Sequence, residues 1–66
     1  MQIIVNGAPF DAPEPCTITD LLRAMALEGQ RCAVEVNGDI VSRTEWAARA
    51  VGAGDRVEVV RAIGGG

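Results

Sequence analysis

The side chains that usually carry proton and acyl transfer are missing from this sequence. It contains no His, no Tyr and no Lys, so the near-neutral proton shuttle, the phenol donor and the Schiff-base amine are all absent. Nine carboxylates remain, at Asp11, Glu14, Asp20, Glu28, Glu35, Asp39, Glu45, Asp55 and Glu58. They are scattered without a partner base or a metal-ligand cluster and read as solvated surface charges. Cys16 and Cys32 fit neither a dense disulfide framework nor a metal site, which would supply four ligands at short spacing. With no basic neighbour placed to activate either thiol, both read as reduced, small apolar side chains. An autonomous enzyme is therefore not expected. One reactive group is left, the α-carboxylate behind Ile63-Gly64-Gly65-Gly66. Its ordinary pKa of about 3.3–3.7 leaves it ionised at neutral pH. Residues without Cβ pass a narrow channel with the widest choice of φ and ψ, so Gly65 and Gly66 suit a carboxylate presented inside another protein's active site.

The rest of the chain must position that group. Sixty-six residues make one domain, and a domain of this size buries only about 60% of the surface its unfolded chain exposes. Apolar residues form 48% and charged residues 23% of the composition, as in globular domains and unlike disordered segments. A net charge of −3 argues against a nucleic-acid partner, which draws on clustered Lys and Arg, and points to a basic protein surface. The strand-like Ile3-Ile4-Val5 begins almost at Met1, so no leader is expected, and no apolar run approaches the length of a membrane span. A cytoplasmic location and no membrane partner are expected.

Alternation over Gln2–Asn6 predicts a strand, and Asn6-Gly7 is the dipeptide that best tolerates a tight hairpin turn into a second strand over Ala8–Asp11. Pro13 and Pro15 break strand pairing and lead to Thr17 as helix N-cap, with Asp20 three residues on as a weaker version of the capping box. Ile18, Leu21, Leu22 and Met25 fall on one helical stripe, and Gly29 suits the helix end. Cys32–Val36 reads as a strand with Val34 and Val36 on one face and Ala33 and Glu35 on the other. Asn37-Gly38 repeats the turn signal before a short strand at Ile40-Val41. Ser42 and Glu45 predict a capping box on a brief helical turn that carries Trp46 as a core plug. Gly52, Gly54 and Asp55 turn into a last strand, Arg56–Ala62.

This order predicts an α+β fold, a β-grasp layout in which a mixed sheet of four to five strands carries one main helix on one face. The first and last strands are expected side by side and parallel in the middle, joined by the helical crossover. The other face stays open, marked by Gln2, Asn6, Arg56 and Glu58. The same parity sends Ile4, Val60 and Ala62 outward as a candidate partner-docking patch, continued by Ile63 and Gly64 into the tail. Residues 1–63 are expected to be the folded body and 64–66 a flexible tail.

Several segments carry a family resemblance. They are the near-initial strand, the first Asn-Gly hairpin, Thr17-Ile18-Thr19-Asp20-Leu21-Leu22, Val36-Asn37-Gly38-Asp39-Ile40-Val41, Val41-Ser42-Arg43-Thr44-Glu45-Trp46, Gly54-Asp55-Arg56-Val57-Glu58 and the glycine end. Together they resemble the ThiS family of ubiquitin-like sulfur carriers in thiamin synthesis. The resemblance covers the whole chain, with Gly64 a small departure where many members carry a side chain. It implies that a ThiF-like adenylyltransferase, using ATP and Mg²⁺ that this chain does not itself bind, joins the Gly66 carboxylate to AMP. Sulfur from a persulfide donor would then replace AMP to give a thiocarboxylate, and a ThiG-like thiazole synthase would take the sulfur. Neither cysteine is expected to take part. Three other uses fit a β-grasp body with this end: a molybdopterin-synthase small subunit, which is usually longer, a protein modifier joined to target lysines, and a non-covalent binding module.

Overall fold

The computed structural model describes residues 1–61. Five strands and one helix follow the chain as β1 (Gln2–Val5), β2 (Ala8–Asp11), α1 (Ile18–Ala24), β3 (Cys32–Val36), β4 (Asp39–Val41) and β5 (Arg56–Arg61), with a 3₁₀ turn at Arg43–Glu45 before β5. The sheet order is β2-β1-β5-β3-β4. β5 is thus central, parallel to β1 and antiparallel to β3. This is the β-grasp arrangement expected from the sequence, and the strand count is five.

Both Asn-Gly pairs form the expected turns, with φ of 51° and 83° at Asn6 and Gly7 and 52° and 90° at Asn37 and Gly38. Their side chains add something the turn rule does not contain. The Asn6 amide donates to Val59 O at 3.2 Å and its Oδ1 accepts from Val59 N at 2.8 Å. Asn6 therefore continues the β1–β5 pairing with its side chain after the strand backbone has turned away, and is more than a polar marker of the open face. On the other flank, Asn37 Oδ1 accepts from Arg56 N at 3.0 Å, and the Asn37 amide donates to Asp55 Oδ1 at 3.1 Å.

Alternation decides which side is core. Ile3, Val5, Val34, Val36, Val57 and Val59 point from the sheet toward Ile18, Leu21 and Leu22 of α1, all of them buried. Met25 is only half-buried at the helix end. The helix is short for independent stability, and its first four N–H groups all find partners. Thr17 N donates to Asp20 Oδ2 and Asp20 N to Thr17 Oγ1, the predicted capping box. Ile18 N and Thr19 N donate to the carbonyls of Arg49 and Trp46.

At the other end Gly29 is not the helix terminator. Ala26 takes the left-handed position with φ 61°, its N–H bonds Arg23 O, and Leu27 N bonds Leu22 O at 2.8 Å. That is a Schellman closure, in which half-buried Leu27 packs on the core and offsets the cost of a Cβ at positive φ. Gly29 takes φ 81° in the following turn.

Two further expectations change. Ser42 makes no side-chain cap bond, because its hydroxyl meets Thr44 Oγ1 at 3.1 Å while its carbonyl accepts from Glu45 N. Trp46 is no core plug. It lies half-buried against the core's edge, its Nε1 donating to Val41 O at 3.0 Å and Arg43 stacked 5.4 Å from its ring centre.

Two outcomes are expected in denaturant melts. Asn6→Gly keeps the positive φ but removes the amide, leaving Val59 short of partners, and costs about 1–3 kcal/mol of unfolding free energy; no loss would mean the amide holds nothing. Hydrogen bonds from the Thr17 backbone and hydroxyl, then the Arg23 charge, lower the Asp20 pKa in the fold. A carboxylate lowered in the fold adds stability above its unfolded pKa and loses it as pH falls through the folded value. Asp20→Asn should therefore flatten the acid limb of stability below about pH 4, and Thr17→Ala should cost about 1 kcal/mol at neutral pH.

Candidate functional site

β5 ends the described chain at Arg61, between β1 and β3. β1 and the Asn6 side chain hold this strand from Arg56 to Val59, and β3 pairs with it as far as Arg61. Ala62, Ile63, Gly64, Gly65 and Gly66, the remaining predicted site residues, lie outside the described residues.

The open face follows the predicted parity. Val60 is 64% exposed, Ile4 is half-buried, and Gln2, Arg56 and Glu58 are exposed on the same side. A larger apolar side chain there escaped the sequence reading: Ile40 is 78% exposed. Its signal was available, because a two-residue Asn37-Gly38 turn pairs Val36 with Asp39 and Glu35 with Ile40. Ile40 must then share a face with Glu35, opposite Val34 and Val36. The register also sets Glu35 directly opposite Glu58, a like-charge pair that sheets ordinarily avoid.

At the end where β5 leaves the sheet, Arg61 pairs with Cys32 and Val60 with Ala33. Arg31 and Arg43 complete a shallow depression of about 420 Å³ around these residues. Cys32 thus shares a depression with Arg31, Arg43 and Arg61, two of which arrive from segments that sequence reading could not bring to it. Cys16 differs. It is buried, its Sγ lies 3.3 Å from Thr17 O, and burial first, then the Asp20 charge, pushes its thiol pKa up. Neither cysteine is in a disulfide.

Elsewhere the surface offers little chemistry. Arg23 donates to Glu28 Oε2 at 2.9 Å and lies 3.6 Å from Asp20, an exposed helix-end cluster that lowers the Glu28 carboxyl through the Arg23 hydrogen bond and charge. Among the described residues no three His, Cys, Asp or Glu side chains gather as metal ligands, and no helix is long and apolar enough to cross a membrane. The body, in short, is a platform that presents a face and a strand end.

Known proteins match this arrangement along its full length. A sequence model of the ThiS family matches residues 3–66. The thiazole synthase of Paramagnetospirillum magneticum is 35% identical over 66 residues, all of this chain but 20% of that protein, so the chain spans about a fifth of that relative's length. The sulfur carrier protein ThiS of Escherichia coli is 30% identical over the whole of both chains. Among solved structures, the crystal structure of the thiamine biosynthesis protein ThiS from Geobacter metallireducens superposes with a TM-score of 0.82, at 36% identity and full coverage of both chains. With a central β5, a single crossover helix and a family match over nearly every residue, the chain belongs to the ThiS family.

Proposed function

We propose that this chain is a sulfur carrier for thiazole formation in thiamin synthesis, a protein co-substrate with its reactive group at Gly66. The observation that carries the reading is the match of the ThiS family model to residues 3–66, on a body whose β5 is held by β1 at Arg56 and Val57, by the Asn6 side chain at Val59 and by β3 as far as Arg61. Under this reading residues 1–63 are the carrier body and 64–66 the tail, and the chain works in the cytoplasm, where thiols stay reduced.

The Gly66 carboxylate attacks the α-phosphate of ATP held by a ThiF-like activating enzyme, and pyrophosphate leaves. The product is an acyl adenylate, in which a poor electrophile has become a reactive one. The phosphates need positive charge from the enzyme, supplied by Mg²⁺ and basic residues. The terminal sulfur of a persulfide then attacks the acyl carbon and AMP leaves. A second thiol cleaves the resulting S–S bond, releasing the thiocarboxylate and forming a disulfide. A ThiG-like thiazole synthase is the acceptor, a choice supported by the thiazole synthase of which a fifth matches this chain. Cys16, buried with a raised pKa, is a poor candidate for the second thiol, and the reading assigns that thiol to a partner protein.

Intact-protein mass spectrometry tests the reading, after incubation with ATP, Mg²⁺, the activating enzyme and a sulfide source. The wild-type chain gains the mass difference between sulfur and oxygen, a chain lacking Gly65 and Gly66 gains nothing, and a Cys16→Ala/Cys32→Ser variant gains as the wild type does. Absence of both AMP adduct and sulfur in the wild type, with an enzyme competent on another carrier, would favour the non-covalent binding module.

A further inference from the structure

The chain carries three more acidic than basic side chains, yet its arginines are not spread evenly. Arg31, Arg43 and Arg61, half of the six arginines, line one depression at the end of the sheet where β5 ends. Arg31 comes from the residue before β3, Arg43 from the 3₁₀ turn after β4 and Arg61 from the end of β5. They are brought together by the register, which sets Arg61 opposite Cys32 and continues β4 back past Val34 toward the β3 start. Among the described residues none of the three forms an ion pair with a carboxylate; the helix-end pairs use Arg23. Ala33 and Val60 line it from the open-face side of the sheet, while strand parity turns Arg61 and Cys32 to the other side. The depression therefore brings three arginines to the rim of the sheet beside exposed apolar surface, with no carboxylate among its lining residues.

We propose that this arginine-rimmed depression is the docking point for a carboxylate-bearing segment of the activating enzyme, an acidic protein surface beside the entrance that admits the tail. The inference rests on the carrier reading and deepens it. Gly66 is five residues beyond Arg61, and an extended chain spans at most about 3.3–3.6 Å per residue. The enzyme's reacting atoms must then lie within about 18 Å of the depression, and the protein surface around that entrance has to meet it. Planar guanidinium forks match carboxylates in pairs, and the exposed Val60 supplies apolar contact at the open-face margin. The opposite sign prevails farther up the open face, where Glu35 faces Glu58. A partner with carboxylates at the entrance and none opposite the glutamates therefore docks in one orientation, with the tail toward its active site.

Initial rates of adenylation at varied carrier concentration test this, with the cognate activating enzyme. Arg31→Glu/Arg61→Glu should raise the half-saturating carrier concentration at least about tenfold, with little change in maximal rate, as expected when steering charges are reversed. Arg23→Glu/Arg49→Glu changes the net charge equally but lies outside both the depression and the sheet, and should stay within about twofold of wild type. Equal behaviour of the two variants, weakened or not, overturns the proposal. Circular dichroism and Trp46 fluorescence check the fold, and Arg31→Gln/Arg61→Gln replaces the glutamate variant if it fails to fold. A second readout is alkylation of Cys32 by iodoacetamide, which the enzyme should slow in the wild type. Equal slowing by inorganic phosphate alone would make the depression a small-anion site and also overturn the proposal. Failure of the wild type to be adenylated at all would instead remove the carrier reading, a result distinct from a charge-insensitive adenylation.

Discussion

The parallel pairing of β1 with β5 is the constraint on which the rest of this small fold depends. Only Ile4 with Arg56 and Val5 with Val57 pair in strict register, which is little for a parallel contact. Backbone bonds from Ile4 N to Asp55 O and Asn6 N to Val57 O hold it, and the Asn6 amide extends it to Val59. A parallel neighbour requires a crossover, and the crossover here is α1 with its flanking loops. The loops are tied in turn to the helix start, since Arg49 and Trp46 carbonyls complete its N-terminal hydrogen bonds and Val51 N bonds Cys16 O at 2.8 Å. Removing the central pair would leave α1 with no sheet face to cover. β5 would lose its parallel neighbour as well.

Much of this was legible because local rules and tertiary need agree. The Asn-Gly pairs, the Thr17–Asp20 box and the Val34/Val36 alternation each act within a few residues, and each appears as read. Ala26 shows where the reading failed: a glycine three residues later looked the better terminator, but burial of Leu27 chose the register of the closure. Ser42 failed for a similar reason. Thr44 competes for its hydroxyl, and a single 3₁₀ turn has no further amide that needs it. The arginine depression was beyond sequence reasoning, because Arg31, Arg43 and Arg61 are neighbours only through two strand registers. Net charge pointed to a basic partner surface and was silent on where the opposite charge collects.

The places where the fold departs from good sheet design all lie on one side. Ile40 and Val60 are exposed, and Glu35 confronts Glu58, an arrangement that costs rather than contributes the roughly 0.2–1 kcal/mol of a favourable cross-strand pair. The helix side shows no such conflict, and its buried side-chain polar atoms all have partners among the described residues. A domain of this size has stability of only about 0.05–0.15 kcal/mol per residue, so a face kept locally unfavourable draws on a small reserve. Conflicts gathered on one face, with the other free of them, fit a surface shaped for contact.

On the carrier reading, that asymmetry has an energetic reason. Ordering a residue's backbone costs about 1–2 kcal/mol, so fixing three glycines in a partner's channel would cost about 3–6 kcal/mol and would have to be offset by contacts elsewhere. Apolar burial contributes about 1.5–3 kcal/mol for a fully buried Val or Ile; covering the exposed Val60 and Ile40 therefore recovers an amount of the same order. Oppositely charged groups at the departure point contribute mainly to the rate and orientation of encounter, so they speed docking without making the complex long-lived. On the carrier reading, a protein that must leave one enzyme for the next needs that balance: fast, oriented arrival through charge, modest holding through a small apolar contact, and an ordering cost that favours release.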